Sequence, residues 1–280
     1  MHRRQLEIEY KTPEQIELMR AAGLVVAATL ATLRAAVAPG ISTGELDSLA
    51  ESTIRAAGAV PSFLGYQGYP ATICASVNSQ IVHAIPSRDA VLADGDLISI
   101  DCGAILDGWH GDAAITVGVG DVRPGLLRMA RVAEEALWAG IAAAARGVRS
   151  GRGRLTDISY AVESAVRRSG RYGIVEEYGG HGIGSEMHQD PHVLNHGRPG
   201  KGPRLVPGMA LAIEPMLTSG RPQAEELDDG WTVVTADGSV AAHVEHSIAL
   251  CDDGVWVLTE PDGGRARLGD LASARALAPV

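Results

Sequence analysis

The sequence predicts a mixed α/β fold of the α+β kind, built as two similar halves, and three observations carry that reading. Capped segments with helical spacing alternate with short, glycine-bounded apolar runs that read as strands. An Asp107-Gly108 pair between two such runs predicts a tight antiparallel hairpin. Two stretches also recur in order at nearly one offset. Leu92-Ala93-Asp94-Gly95-Asp96-Leu97-Ile98-Ser99-Ile100-Asp101 matches Leu205-Val206-Pro207-Gly208-Met209-Ala210-Leu211-Ala212-Ile213-Glu214, and the run from Glu51 to Gly58 echoes that from Glu163 to Gly170. Each half then supplies a helix followed by a strand that delivers an acid.

The elements follow in order. Thr12-Pro13-Glu14-Gln15 is a capping box with proline at the first helical position, and Leu18, Ala22, Val25, Leu30 and Leu33 keep helical spacing up to Pro39-Gly40. A second helix starts at Ser42-Thr43-Gly44-Glu45 and stops at Gly58. Two more are expected at about 125–146, from near Pro124, and about 156–169, with Thr156 or Asp157 as cap. Strands are expected around 72–77, 96–106, 109–118, 210–218, 231–236, 241–250 and 255–259, and the tail from Gly263 as a loosely attached helix or a disordered end. A two-residue hairpin loop puts Leu106 opposite Trp109 and Asp101 opposite Ala114, with Asp112 a diagonal neighbour on the same face.

At 280 residues and 46% hydrophobic content the chain can bury a sizeable core. One domain over 1–262 with a tail over 263–280 is expected, since no linker divides it. A net charge of −10 argues against unspecific nucleic-acid binding. No run of transmembrane length is expected, and the start lacks the apolar core of a leader, so a cytoplasmic protein without membrane contact is the expectation. Cys74, Cys102 and Cys251 are odd in number and lack CxxC spacing, which disfavours disulfides and a zinc-thiolate site. Cys102 follows Asp101 on a strand and should face the core.

Asp101, Asp112, His181, Glu214 and Glu245 each stand in a glycine-punctuated apolar run, where an unpaired acid is costly to ionise. Four carboxylates carry four negative charges, which two divalent ions neutralise, so the set reads as a two-metal site. His181 lies between Gly180 and Gly182, which permit close backbone approach. His192, His196, His243 and His246 are read as structural or exposed histidines with no metal role.

The surrounding motifs add a resemblance. Ser76-Val77-Asn78 through His83-Ala84-Ile85-Pro86, Ile100-Asp101-Cys102-Gly103, Gly108-Trp109-His110-Gly111-Asp112, Gly180-His181-Gly182-Ile183-Gly184 through His188, Ile213-Glu214-Pro215-Met216 and Val244-Glu245-His246-Ser247 stand in order. With them, residues from about 10 to about 260 resemble the type I bacterial methionine aminopeptidases of the M24 metallopeptidase family. The resemblance implies a duplicated pita-bread (creatinase/aminopeptidase) fold with pseudo-twofold symmetry. It implies Asp101, Asp112, His181, Glu214 and Glu245 as ligands of two divalent ions, with Co, Mn, Fe, Zn and Ni all compatible. Hydroxide activated by the metal pair would attack the first peptide bond, and one ion would also take the free α-amine. Glu214 would carry the proton, His188 would donate to the scissile carbonyl oxygen, and His83 would contact the substrate backbone. Phe63, Tyr66, Tyr69, Cys74 and Trp231 match the methionine side-chain pocket. The implied substrates are nascent chains near the ribosome with a small second residue, and the implied state is a monomer. Ala113, Met187 and Phe63 depart from the family pattern, the first where a hydrogen-bonding Thr is common, which bears on specificity rather than on the reaction.

Two alternatives are weaker. Aminopeptidase P and prolidase share the ligand set but typically carry a large extra N-terminal domain, whereas only about 70 residues precede the first site motif here. A non-catalytic pita-bread binding protein would have lost ligand types that this chain keeps. Only 25 residues lie between His188 and Glu214, too few for the helical insertion of type II enzymes, and no Cys/His-rich zinc module stands at the N-terminus.

Overall fold

Thr12 caps the first helix, α1 (Pro13–Ala36): its hydroxyl accepts from the Gln15 amide while the Gln15 side chain accepts from the Thr12 amide. Two otherwise orphaned N–H groups are thereby satisfied. Ser42 and Glu45 repeat the device at α2 (Thr43–Ala56), and the chain leaves α2 through Gly58 at φ +76°. The structure is a computed structural model that describes residues 6–277. Residues 1–5, part of the start that lacks a leader's apolar core, and the last three residues of the tail lie outside them.

Strands β1 (Val60–Pro61), β2 (Ile73–Val77), β3 (Gln80–Val82), β4 (Leu97–Leu106) and β5 (Trp109–Gly118) follow, then α3 (Pro124–Ser150) and α4 (Leu155–Ser169). The second half adds β6 (Gly173–Ile174), β7 (Gly180–Gly182), β8 (Gln189–Val193), β9 (Ala210–Ile213), β10 (Met216–Thr218), β11 (Ala224–Glu226), β12 (Val233–Thr235), β13 (Ala241–His243), β14 (Glu245–Cys251), β15 (Gly254–Val257) and the short α5 (Arg265–Leu268).

The main sheet runs β1-β4-β5-β14-β9-β7-β8, with β2 added on β4 and β15 on β14, all pairings antiparallel. Helices cover one face only. On β4, Ile98, Ile100, Cys102 and Ala104 meet Val26, Leu30, Leu46 and Ile54 of the first helix pair. In the second half, Leu211, Ile213, Ile248 and Leu250 meet Met129, Leu137, Ile141, Ile158 and Val162 of α3 and α4. Period-2 alternation therefore turns Asp101 to the uncovered face.

Duplication is visible in the backbone. β4 and β9 both start after a turn whose glycine, Gly95 or Gly208, lies at φ +92° or +88°, and they flank the central pair β5 and β14. The match at the second helix ends is less complete, because Gly170 is extended where Gly58 is left-handed.

Four expectations need correction. The cap of α4 is Arg154, whose amide donates to Asp157 Oδ2 at 2.8 Å, so Asp157 is the third helical residue rather than the cap. The runs 210–218 and 241–250 are each two strands: β9 gives way to β10 at Glu214-Pro215, and β13 to β14 at Val244. Pro215 has no N–H for the ladder, and β10 and β13 pair in a separate small sheet with β6. The tail is packed rather than loose, since Leu268 and Ser273 are buried and Ser273 Oγ donates to Asp253 Oδ1 at 2.6 Å. Finally, α1 is long and apolar enough to cross a membrane by length and composition, but Met19, Ala22, Val26, Leu30 and Leu33 are spent on the core.

One close backbone approach lies beside the acid-bearing hairpin. A Cβ on Gly111 would stand 2.6 Å from the Gly23 amide of α1, and one on Gly23 would run into the Leu258 carbonyl. Gly111→Ala should cost about 1–3 kcal/mol of stability through overpacking against backbone that cannot yield. Urea unfolding reads this directly, and an unchanged midpoint would show that α1 does not press on the hairpin.

Candidate metal centre

The Asp107-Gly108 turn forms with both residues at positive φ, 50° and 81°, and its register places Leu106 opposite Trp109 and Asp101 opposite Ala114, as the sequence predicts. On the other side of β5, Glu245 also pairs with Ala114. One row across three strands therefore reads Asp101, Ala114, Glu245, with only a methyl between two acids. Asp112 is two residues from Ala114 on the same face. Glu214 enters at the strand switch after β9, and His181 from the middle of β7. The structure thus brings together the five residues singled out from the sequence.

Distances among them are those of groups gathered around something shared. His181 Nε2 lies 4.0 Å from Asp112 Oδ2 and 3.8 Å from Glu214 Oε1. His181 Nδ1 is 2.9 Å from the Gly182 carbonyl, which can only accept, so the ring carries its proton there and turns a bare Nε2 toward the acids. Two sets of donor atoms, Asp112/His181/Glu245 and Glu214/His243/Glu245, each lie within 4.8 Å of one another. Asp101 Oδ1, Asp112 Oδ1 and Glu245 Oε1 are buried without a hydrogen-bond partner among the described residues. An oxygen-rich set with an imidazole and unpartnered carboxylate oxygens fits divalent cations of the first transition row.

Burial raises the Asp101 carboxyl to about 7. Burial and then the charges of neighbouring acids also raise Asp112 and Glu245. Burial pushes Glu214 the same way, but the neighbouring imidazoles of His243, His181 and His83 outweigh it and hold Glu214 below the usual range. Behind the acids, Ser247 Oγ donates to the Asp112 carbonyl at 2.7 Å and locks β5 to β14. Ala113 packs among the apolar residues under α1 and α2, on the opposite face from the acids.

His83 and His188 also line the cavity, with volume about 290 Å³. His83 sits at φ +58° with its ring 5.7 Å from that of Tyr178, and burial lowers its pKa. His188 packs 4.4 Å from the His181 ring, and its Nδ1 is 2.8 Å from the Tyr66 hydroxyl. Burial, then His181, bring His188 down to about 4. Phe63, Tyr69, Cys74 and Met187 form one buried apolar cluster with Tyr66 and Trp231 packed on it. The Tyr69 hydroxyl is occupied by the Ile73 and Ala84 carbonyls at 3.0 and 3.1 Å, leaving its ring edge-on to Trp231 at 5.0 Å.

His243, read from the sequence as structural, stands inside the centre. Its Nε2 is 3.5 Å from Glu214 Oε2 and 4.0 Å from Glu245 Oε2. The signal was available: His243 and Glu245 flank Val244, which packs in the core, so the two share the opposite face. His246 lies elsewhere, against Trp138, Thr259 and Glu260.

The profile of metallopeptidase family M24 matches residues 17–252. The chain is 55% identical over 257 residues to methionine aminopeptidase 1 of Mycobacterium tuberculosis, covering 90% of this chain and 95% of that one. It superposes on the crystal structure of methionine aminopeptidase from Thermotoga maritima with a TM-score of 0.86 at 38% identity, covering 91% of this chain and 100% of that one. Prolidase from Pyrococcus furiosus is alike in fold alone, with a TM-score of 0.68 at 18% identity over 90% of this chain and 65% of that one. The fold is accordingly the curled, duplicated pita-bread architecture expected from the motifs.

Without cations, the folded protein holds a proton on Asp101 up to about pH 7, which the unfolded chain has released near its ordinary value of 3.8. Its contribution to stability is then complete below the ordinary value and is lost as pH rises toward 7. Buried histidines with lowered pKa act in the opposite sense, so a variant is needed to isolate the acid. In chelator, Asp101→Asn should gain stability relative to the parent steadily between pH 5 and 7, and saturating Mn²⁺ should abolish that trend. Scanning calorimetry across pH measures it, and a gap independent of pH would contradict the assignment.

Proposed function

Since the chain belongs to metallopeptidase family M24, within its methionine aminopeptidases, we propose that it removes the leading methionine of peptides at a centre of two divalent ions. Asp101, Asp112, His181, Glu214 and Glu245 are the proposed ligands. The observation that carries this reading is the set of buried carboxylate oxygens on Asp101, Asp112 and Glu245 that no group among the described residues satisfies. Co²⁺, Mn²⁺, Fe²⁺, Zn²⁺ and Ni²⁺ all suit such donors, and cellular supply selects among them.

When bound, such a pair of ions supplies Lewis acidity and brings the pKa of water near neutrality. The side chains then divide the remaining work. Glu214, the one acid of the four held below its ordinary range, is ionised and placed to accept a proton at a carboxylate oxygen and pass it toward the leaving amine. His188 is neutral at pH 7, and the Tyr66 hydroxyl at its Nδ1 leaves Nε2 to donate to the scissile carbonyl oxygen as charge develops there. His83 is the proposed contact to the substrate backbone. Phe63, Tyr66, Tyr69, Cys74 and Trp231 are proposed to take the thioether, a polarizable group suited to an aromatic and sulfur-lined wall, with Met187 as a further adaptable side. At about 290 Å³ the cavity is near the lower limit of small-molecule sites, which supports a small second residue.

The same reading takes nascent chains near the ribosome as substrates of a cytoplasmic monomer, with one catalytic domain over 1–262 and an appended tail. The purified protein should cleave Met-Ala-Ser and spare X-Pro peptides, lose activity on chelation, and recover it with single divalent ions. His188→Ala should lower kcat by about 10²–10³ with the metal content unchanged. Full activity in a stripped preparation, or a preference for X-Pro, would overturn the reading.

A further inference from the structure

The two imidazoles of the centre stand on an equal footing around Glu214. His181 Nε2 is 3.8 Å from Glu214 Oε1 and 4.0 Å from a second acid, Asp112. His243 Nε2 is 3.5 Å from Glu214 Oε2 and 4.0 Å from a second acid, Glu245. At 3.5 Å the His243 contact is longer than an N–H···O bond of 2.7–3.2 Å. Nitrogen and oxygen ligands lie about 2.0–2.2 Å from an ion, so pairs of them are spaced roughly 3–4 Å apart. Both sets of distances match that spacing. His243 Nε2 is moreover buried without a hydrogen-bond partner among the described residues, on a side chain that is 2% exposed.

The backbone holds this ring where it is. His243 N donates to Ser99 Oγ at 3.0 Å, and Thr116 Oγ1 donates to the His243 carbonyl at 2.7 Å. Ser99 and Thr116 are themselves a cross-strand pair of the hairpin that carries Asp101 and Asp112. The hairpin therefore fixes His243 relative to its own acids. A histidine retained only for packing would need neither this clamp nor an unpartnered nitrogen aimed between two carboxylates.

We propose that His243 is a sixth ligand of the centre, adding a second imidazole beside His181 to the ions that the carboxylates would hold. The proposal rests on the two-ion reading above. Its chemical consequence is selectivity: with a nitrogen donor, the position that His243 joins favours Co²⁺, Ni²⁺ or Zn²⁺ over Mn²⁺ more than an all-oxygen position would.

Two measurements with the metal alone test it. In the protein loaded with two equivalents of Co²⁺, proton NMR should show the strongly shifted resonances of two metal-bound imidazoles, which requires no variant. In calorimetric titration of the metal-free protein, His243→Asn should weaken the second Co²⁺ step by more than about 100-fold, beyond the 10–100-fold effect of an outer hydrogen-bonding partner. Its second Mn²⁺ step should weaken less. One imidazole set with two Co²⁺ bound, or a Co²⁺ loss of 100-fold or less, would overturn the proposal while leaving the two-ion reading intact. A parent protein that never takes a second ion would overturn both.

Discussion

Unbalanced negative charge is the constraint from which the rest of this structure follows. Asp101, Asp112, Glu214 and Glu245 are gathered around one cavity, and three of them keep an oxygen that no group among the described residues satisfies. Two like charges 4 Å apart repel by about 4 kcal/mol even at an effective dielectric of 20. Among the described residues no lysine or arginine lines the cavity to offset this. Protons offset it in part, as the raised pKa values of Asp101, Asp112 and Glu245 record. Divalent ions offset it more completely, and they bring the reactivity that a peptidase of this family needs.

The fold serves that constraint by duplication. Each half presents a glycine turn, a strand and an acid, and the halves meet at the β5–β14 seam, where Ala114 faces Glu245 across one side and Asp101 across the other. The alanine leaves room that a larger side chain would fill. Both strands that carry the second pair of acids change sheets at the site: one at Glu214-Pro215, the other at Val244. The first switch leaves Glu214 just beyond the end of β9, while Glu245 opens β14 within the main ladder opposite Ala114.

How much of this could be read from the residues depended on how local each signal was. The hairpin register was legible because Asp107-Gly108 sets it over two residues. Both capping boxes were legible for the same reason. Of the strand switches, Pro215 gives a local reason for one, whereas Val244 gives none, since its break arises from pairing with β10 far along the chain. Short strands such as β6 and β11 exist only through distant partners and were not foreseen. The tail misled by composition: its Ala/Arg-rich run suggested looseness, yet Ser273 and Asp253 bind it to the β14–β15 turn. His243 is legible only through its spacing, two residues before Glu245, because its own neighbours carry no local signal.

The central claim is that this acid cage holds a pair of cations. Crystals grown with Mn²⁺ and measured on either side of its absorption edge test it most directly. The account predicts two anomalous peaks about 3.5–4 Å apart, enclosed by Asp101, Asp112, His181, Glu214 and Glu245. Absence of anomalous density at that place, with the protein folded and Mn²⁺ in excess, would contradict it.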